Sequence, residues 1–214
     1  MTRDSETVIG LYERHAAAWV GARLSQTRFV EQGWLERFRG LVGDGGGVLD
    51  LGCGAGRPMA AALAAWGCQV TGVDSSEAMI ALFREHLPDQ AAFVADMRTL
   101  DLGRDFQGIL AWDSFFHLGH EDQRRMFPVF AAHAAQGAAL MFTSGPAHGE
   151  AIGVLEGEPL YHASLDPAEY RRLLNETGFD VVDMVPEDPS CGGRTVWLAR
   201  RRQIESAMGG ARSL

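Results

Sequence analysis

The chain has 214 residues, of which 46% are hydrophobic and 22% charged, and its formal net charge is −9. That length and composition suit one globular domain with a sizeable core. The acidic balance is the reverse of the footprint expected for gripping phosphate backbones, and no apolar run approaches the ~20 residues of a membrane span, so neither nucleic acid nor membrane is expected as a partner.

Along the chain, the first forty residues read as helical. Leu11, His15, Ala18 and Trp19 recur at helical spacing, as do Phe29, Trp34, Leu35, Phe38 and Leu41, and the glycine-rich stretch 43–47 is a stop. From Val48 the pattern becomes strand–helix alternation. VLDL is a strand, 58–66 a helix, QVTGVD a second strand and 76–86 a second helix. AAFVAD and FQGILAW follow as strands, then a helix over 121–135 that Pro128 is expected to kink or split. A strand over 138–143 comes next, and 144–160, rich in glycine and without clear periodicity, reads as a loop. Asp166, Pro167 and Glu169 start a helix, as N-cap, first-turn proline and capping-box acid, and Gly178 ends it. FDVVDMV and RTVWLAR then follow in succession, which favours an antiparallel pair. The run Arg200, Arg201, Arg202 reads as a solvated terminus, and 203–214 as a disordered tail.

This order predicts an α/β fold: a doubly wound, mostly parallel, seven-stranded sheet with an antiparallel C-terminal edge strand. Residues 1–46 are expected to form a helical cap over the ligand site, and 47–202 the core.

The sequence contains no lysine; all 19 basic residues are arginine. A Schiff-base lysine and a phosphate-binding P-loop are therefore excluded. Cys53, Cys68 and Cys191 form no CxxC pair and predict neither a disulfide framework nor a zinc site. The first ten residues, MTRDSETVIG, lack the apolar core of a signal peptide, so the cytoplasm is the expected location.

The chemistry concentrates in VLDLGCGAGRP, residues 48–58. A buried strand ends there, and Gly52, Gly54 and Gly56 fall where a helix begins. In a doubly wound sheet the ligand crevice lies beyond the carboxyl ends of the strands, so this turn should face it. Asp74 ends the next strand, near the ~20-residue offset at which an acid meets ribose hydroxyls. The spacing is G-x-G-x-G, and Arg57 stands where the dinucleotide fingerprint G-x-G-x-x-G has its third glycine.

The pattern Asp50-x-Gly52-x-Gly54-x-Gly56 resembles the first motif of class I S-adenosylmethionine (SAM)-dependent methyltransferases, and the resemblance extends over 47–143 and the final strand pair. It implies SAM as cofactor, with S-adenosylhomocysteine (SAH) as product. It further implies that Asp50, Gly52, Cys53 and Gly54 hold the methionine end, that Asp74 and Ser75 lie at the ribose, and that Met79 packs nearby. Asp96 would bond the adenine amino group, with the Met97 backbone N–H on the ring. Ala111 and Trp112, ending the fourth strand, would offer backbone groups to the methionine portion.

The stretch WDSFFHLGH should then line the acceptor site. Phe115 and Phe116 are candidate apolar walls. Asp113 and His117 are spaced i, i+4, so a helical turn would put them on one face. His117 is the candidate general base; Asp113 is the candidate group to orient it. Tyr12, His15, Trp19 and Arg23 form a helical stripe of mixed chemistry, and Tyr12, His15 and Trp19 are candidate substrate contacts, with His148 and Tyr161 further on. Asp113, His117, His148 and Glu150 are also readable as magnesium ligands, but two histidines suit that ion poorly and no metal is expected. The Asp/Asn-Pro-Pro-aromatic tetrapeptide of DNA amino-methyltransferases is absent, leaving a small molecule as the expected acceptor. A NAD-dependent oxidoreductase and a non-catalytic SAM-binding protein remain the rival readings.

Overall fold

A computed structural model describes residues 3–25 and 28–203. Two helices come first, α1 (Arg3–Leu24) and α2 (Gln32–Val42). Next come β1 (Gly47–Leu51), α3 (Met59–Ala65), β2 (Gln69–Asp74), α4 (Glu77–His86), β3 (Ala91–Val94) and β4 (Phe106–Ala111). They are followed by α5 (His120–His133), β5 (Ala134–Ser144), β6 (Gly149–Leu155), β7 (Glu158–Ser164), α6 (Pro167–Glu176), β8 (Phe179–Asp188) and β9 (Arg194–Arg201).

Seven strands form one sheet in the order β3-β2-β1-β4-β5-β9-β8. The first five in that order pair in parallel. β9 is antiparallel to both neighbours, so the reversed strand lies one place in from the edge, which β8 forms. Successive crossovers lead away from β1 in opposite directions, so the crevice opens between β1 and β4 at their carboxyl ends. The caps follow the sequence signals: Ser76 Oγ accepts the Met79 N–H (3.1 Å), and Asp166 accepts the Ala168 N–H (2.7 Å) ahead of Pro167.

Each face of the sheet has its own core. On one, Trp34, Leu35 and Phe38 of α2 pack with Val48, Leu110 and Met141. Gly108 of β4 makes this possible, because a Cβ there would stand 2.7 Å from the Phe38 ring and 2.6 Å from a Val42 methyl. On the other face, Phe115, Phe127, Phe130, Phe142, Tyr170 and Trp197 build an aromatic cluster. The two helices of the expected cap therefore have different surroundings. α2 is bound into the sheet, whereas α1 joins only small satellite clusters: Ala16 and Val20 with Ala55 and Met79, and Val8 with Tyr161 and Ala163.

Three expectations need correction. Residues 144–160 are not a loop: β6 and β7 form a separate two-stranded antiparallel hairpin. Its two-residue turn, Glu156-Gly157, has positive φ at both positions (50° and 81°), the backbone of a type I′ turn. Glutamate at the first position, in place of Asn or Asp, hid the turn, and Ile152 and Val154 face solvent, so no buried face marked β6. Pro128 does not split α5, which runs unbroken from His120 to His133. The proline removes one N–H, and burial of Met126, Phe127 and Phe130 holds the helix in place. β5 begins at Ala134, four residues early, with a register shift against β4 near Gly137, where φ is 77°. The expected disordered tail lies outside the described residues beyond Gln203.

The two-core arrangement makes a prediction. Phe38→Ala should cost about 3–5 kcal/mol in urea unfolding, and Val20→Ala in α1 about 1 kcal/mol. Equal losses would mean that α1 is as integral to the fold as α2.

Candidate functional site

A cavity of about 130 Å³ lies beyond the ends of β1, β2 and β4, with α1 across it. Its floor is the glycine turn. Gly52, Gly54 and Gly56 have φ of 72°, 50° and 77°, the left-handed region that favours glycine. At Gly52 a Cβ would sit 2.3 Å from Ser114 Cβ, so the turn closes against the segment after β4 only because none is there. At Gly54 a Cβ would project towards Trp19 of α1 (3.6 Å) and Met79 (3.9 Å), into the gap between turn and α1. The Gly52 and Cys53 N–H groups both donate to the Val73 carbonyl, at 2.7 and 3.1 Å.

Two carboxylates face this floor, Asp50 buried and Asp74 half-buried. Asp74 accepts the Gly54 N–H on one oxygen and the Ser76 N–H on the other, each at 2.9 Å. Burial raises its pKa, and those N–H groups oppose the rise. Asp50 is 3% exposed, lines the cavity and receives no hydrogen bond from the described residues. Burial, reinforced by the charge of Asp74, pushes its carboxyl up to about 7.

At the far end, Asp96 opens a short 3-10 turn (Met97–Thr99) and is gripped by Arg98. Arg98 Nε lies 3.0 and 2.9 Å from its two oxygens and Nη2 2.6 Å from Oδ2, while the Arg98 N–H donates to Oδ1 at 2.9 Å. Burial raises the Asp96 pKa, and the Arg98 bonds outweigh it, leaving the carboxyl below its usual range.

The remaining wall combines Trp112, Asp113, His117 and Leu118 with Val8 and Tyr12 of α1. Asp113 has φ 47°, unusual for a residue other than glycine. It is held by Arg194, with Nε 2.9 Å and Nη2 2.8 Å from Oδ2, and by its own N–H on Thr143 Oγ1 (2.9 Å). Arg194 also lies 3.3 Å from Glu31, which is fully buried and binds Arg23. His117 Nδ1 donates to the Tyr161 carbonyl (2.8 Å), so its Nε2 accepts from the Tyr12 hydroxyl (3.1 Å). Burial lowers the His117 pKa to about 4, keeping the ring neutral, and raises that of the Tyr12 phenol.

Of the residues singled out for cofactor binding, Asp50, Gly52, Cys53, Gly54, Asp74, Ser75, Met79, Asp96, Met97 and Trp112 line this one cavity. Ala111 does not; its side chain is buried in the sheet core. Tyr12, Trp19 and Arg23 also line it, but His15 turns aside to Glu158 of β7 (2.6 Å). Phe115 belongs to the aromatic core, where its ring lies 5.3 Å from Phe142 and 5.7 Å from Phe130. Phe116 packs on His117 and His162, outside the cavity lining. His148 stacks on His120 at 4.5 Å, away from the cavity. Tyr161 is 2% exposed; it donates its hydroxyl to Glu150 (2.7 Å) and reaches the site through its carbonyl on His117. Asp113 and His117 do not share a helical face, because helical backbone begins only at Phe115. Among the described residues no group of three or more His, Cys, Asp or Glu side chains is placed to hold a metal ion. Arg98, Arg194 and Glu31 were missed. Arg98 stands two residues from Asp96, a local signal; Arg194 is 81 residues from Asp113 and carries none.

Residues 48–137 match the family model of the methyltransferase domain. Over that stretch the chain is similar to methyltransferase domains. No curated protein matches the chain in sequence. Among solved structures it is similar to the magnesium protoporphyrin IX methyltransferase of Synechocystis PCC 6803 with bound SAM, at 19% identity and TM-score 0.71, covering 94% of this chain and 98% of that one. It is also similar to a Burkholderia thailandensis 1,6-didemethyltoxoflavin-N1-methyltransferase with SAH, at 18% identity and TM-score 0.70, covering 95% and 92%. The DhpI–SAH complex has 19% identity and TM-score 0.72, covering 93% and 97%. At these identities the likeness shows the class I, Rossmann-like methyltransferase fold.

The floor of the domain rests on Asp74. Asp74→Ala should weaken SAH binding by about 1–3 kcal/mol through lost charge-assisted hydrogen bonds. Unchanged affinity in a folded variant, read by calorimetry, would remove Asp74 from the site.

Proposed function

We propose that the chain transfers the methyl group of SAM to a small-molecule acceptor seated between α1 and the segment after β4. The observation that carries this reading is Asp50: a buried carboxylate at the glycine turn, facing the cavity without a donor from the described residues. An orphan carboxylate of that kind suits a cationic ligand group. SAM has a sulfonium and an ammonium at its methionine end, and no pyrophosphate for the turn to cradle. Asp74 keeps an acceptor position on each oxygen for ribose hydroxyls, and Asp96 lies further along the same cavity for the adenine amino group. The structural relatives crystallised with SAM or SAH support the same cofactor.

When bound, SAM supplies an electrophilic methyl carbon on a sulfonium that leaves as a neutral thioether. The chain's own contribution is alignment and exclusion of water. Trp112, Leu118, Val8 and Tyr12 would hold the acceptor against the methyl, and α1 would shut the cavity. His117 does not suit the role of general base: burial keeps it neutral, and its acceptor nitrogen is taken by Tyr12. It instead fixes the Tyr12 hydroxyl, leaving the phenol oxygen's other lone pair for a donor on the acceptor. Asp113, tied to Arg194, orients the wall rather than the imidazole.

The relatives' acceptors, a magnesium porphyrin, an amino pentose and a didemethyltoxoflavin, support a small molecule as substrate class. No described helix is long and apolar enough to cross a membrane. Within this proposal the enzyme works in the cytoplasm, where its three free cysteines would stay reduced.

Calorimetry with SAH and, separately, NAD tests the cofactor: saturable binding of SAH alone is expected, and binding of NAD alone would refute the reading. The pH dependence tests Asp50. Its raised pKa means that the folded chain keeps a proton which the unfolded chain loses near pH 4, so stability falls as pH rises from about 4 to about 7 and then levels off. A bound cation favours the ionised form, so SAM affinity should rise about tenfold between pH 5.5 and 7, with proton release. Asp50→Asn should flatten that rise. A flat profile in the unaltered protein would separate Asp50 from the cationic end of the ligand.

A further inference from the structure

The purine end of the cavity contains an arginine that the proposed function leaves without a role. Arg98 lines the cavity, is about one-fifth exposed at its side chain, and bridges two carboxylates. Its Nε and Nη2 chelate Asp96, and its Nη1 reaches Asp122 Oδ2 at 3.1 Å. Asp122 is 5% exposed on α5 and also takes Arg125 Nη1 at 3.1 Å, so the far end of the guanidinium is anchored to a helix of the core.

The geometry limits what Asp96 can still do. A carboxylate has about four lone-pair sites. Three Arg98 hydrogens take up most of them: Oδ1 accepts the backbone N–H (2.9 Å), Oδ2 accepts Nη2–H (2.6 Å), and the single Nε–H is shared between Oδ1 (3.0 Å) and Oδ2 (2.9 Å), which leaves room for about one more donor. The remaining capacity of Asp96 is therefore small and fixed in direction, on a carboxylate that cannot rotate without breaking a bidentate pair. Such a group accepts one hydrogen bond from a donor and repels a second acceptor placed there.

We propose that Arg98 is the positioning residue that gives the site its purine specificity. Anchored on Asp122, it locks Asp96 so that its last acceptor position meets the 6-amino donor of adenine and rejects the 6-oxo acceptor of hypoxanthine. The proposal rests on the reading of the cavity as a SAM site with Asp96 at the adenine. Arg98 touches neither reacting atom; it acts through Asp96. Lysine cannot replace it, because an ammonium is a point charge without the fork that holds two oxygens and a second carboxylate together.

The test compares SAH with S-inosylhomocysteine, which differ at the purine 6-position and N1, by calorimetry on the full chain. The unaltered protein should prefer SAH by more than about tenfold. In Arg98→Lys and Arg98→Ala that preference should fall to about twofold or less, with SAH weakened and the inosyl compound little changed. Asp122→Asn, which frees the anchor and leaves the chelate in place, should give an intermediate ratio. If Arg98 merely supports the fold, both compounds weaken equally and the ratio stays, which overturns the proposal. A thermal melt with each variant separates loss of fold from loss of selectivity. Asp96→Asn distinguishes the two levels of the argument. If it leaves the ratio unchanged while SAH still binds, Asp96 is not at the adenine and the underlying reading fails. If it collapses the ratio while both Arg98 variants retain it, only the role of Arg98 fails.

Discussion

Everything at the site depends on the Asp74 carboxylate and the two backbone N–H groups it accepts. The bond from Gly54 fixes the glycine turn to the end of β2, and the bond from Ser76 fixes the same carboxylate to the entry of α4. Three glycines in the left-handed region leave the turn few side chains with which to hold itself, so it is held by bonds to the end of β2: the Val73 carbonyl takes the Gly52 and Cys53 N–H groups, and Asp74 takes that of Gly54. The Asp74 anchor is a half-buried carboxylate close to the buried carboxyl of Asp50. Burial of the Asp50 carboxyl, reinforced by Asp74, disfavours its ionised form, and a cationic ligand would relieve part of that cost. On the proposed reading, a site built this way would select a positive ligand before any direct contact with the methyl group.

The opposite wall is held by a chain of ions. Arg23, Glu31, Arg194 and Asp113 alternate in sign and join the end of α1, the segment before α2, the start of β9 and the turn after β4. Glu31 is fully buried, and one of its oxygens has no donor. Buried pairs of this kind add little net stability, but removing one partner strands the other. What the network supplies is position: it holds Asp113 at φ 47°, a backbone state that nothing local favours. The acceptor wall is therefore rigid because of residues far from it in sequence, and α1 is tied to that wall through Arg23.

The sequence was legible where the determinants are local. The β1 turn, the Asp166 cap and the strand–helix alternation through β5 are all set by residues within a few positions of one another, and all lie where the pattern puts them. Asp74 and Asp96 reach the cavity for the same reason: Asp74 ends β2, next to β1, and Asp96 follows the end of β3, one place beyond. The acceptor residues were less legible. The Asp113–His117 spacing suggested a shared helical face, but the Arg194 fork and the Thr143 hydroxyl pull Asp113 into a different backbone state. Phe115 and Phe116 are adjacent aromatics, and only the tertiary structure shows that one enters the core while the other packs beside His162. The β6–β7 hairpin escaped because its apolar residues point to solvent, where alternation marks no buried face.

The state of His117 then shapes the chemistry. Protonating a ring whose pKa lies near 4 costs about 1.4 kcal/mol for each unit by which the working pH exceeds it, so at neutral pH the imidazole is a poor place to put the acceptor's proton. Methyl transfer differs from acyl or phosphoryl transfer in this respect. The electrophile brings its own charge and loses it as the bond forms, so no oxyanion needs a donor and no leaving group needs a proton. On the proposed reading, a wall of neutral Tyr12 and His117 beside paired ions suits that demand: it would fix the acceptor in line and add no net charge near a disappearing cation. The two halves of the cavity thus divide the electrostatic work. On the same reading, Asp50 and Asp74 lie on the side that would bind the sulfonium ligand, and the Asp113–Arg194 pair lies on the side where its charge would be lost.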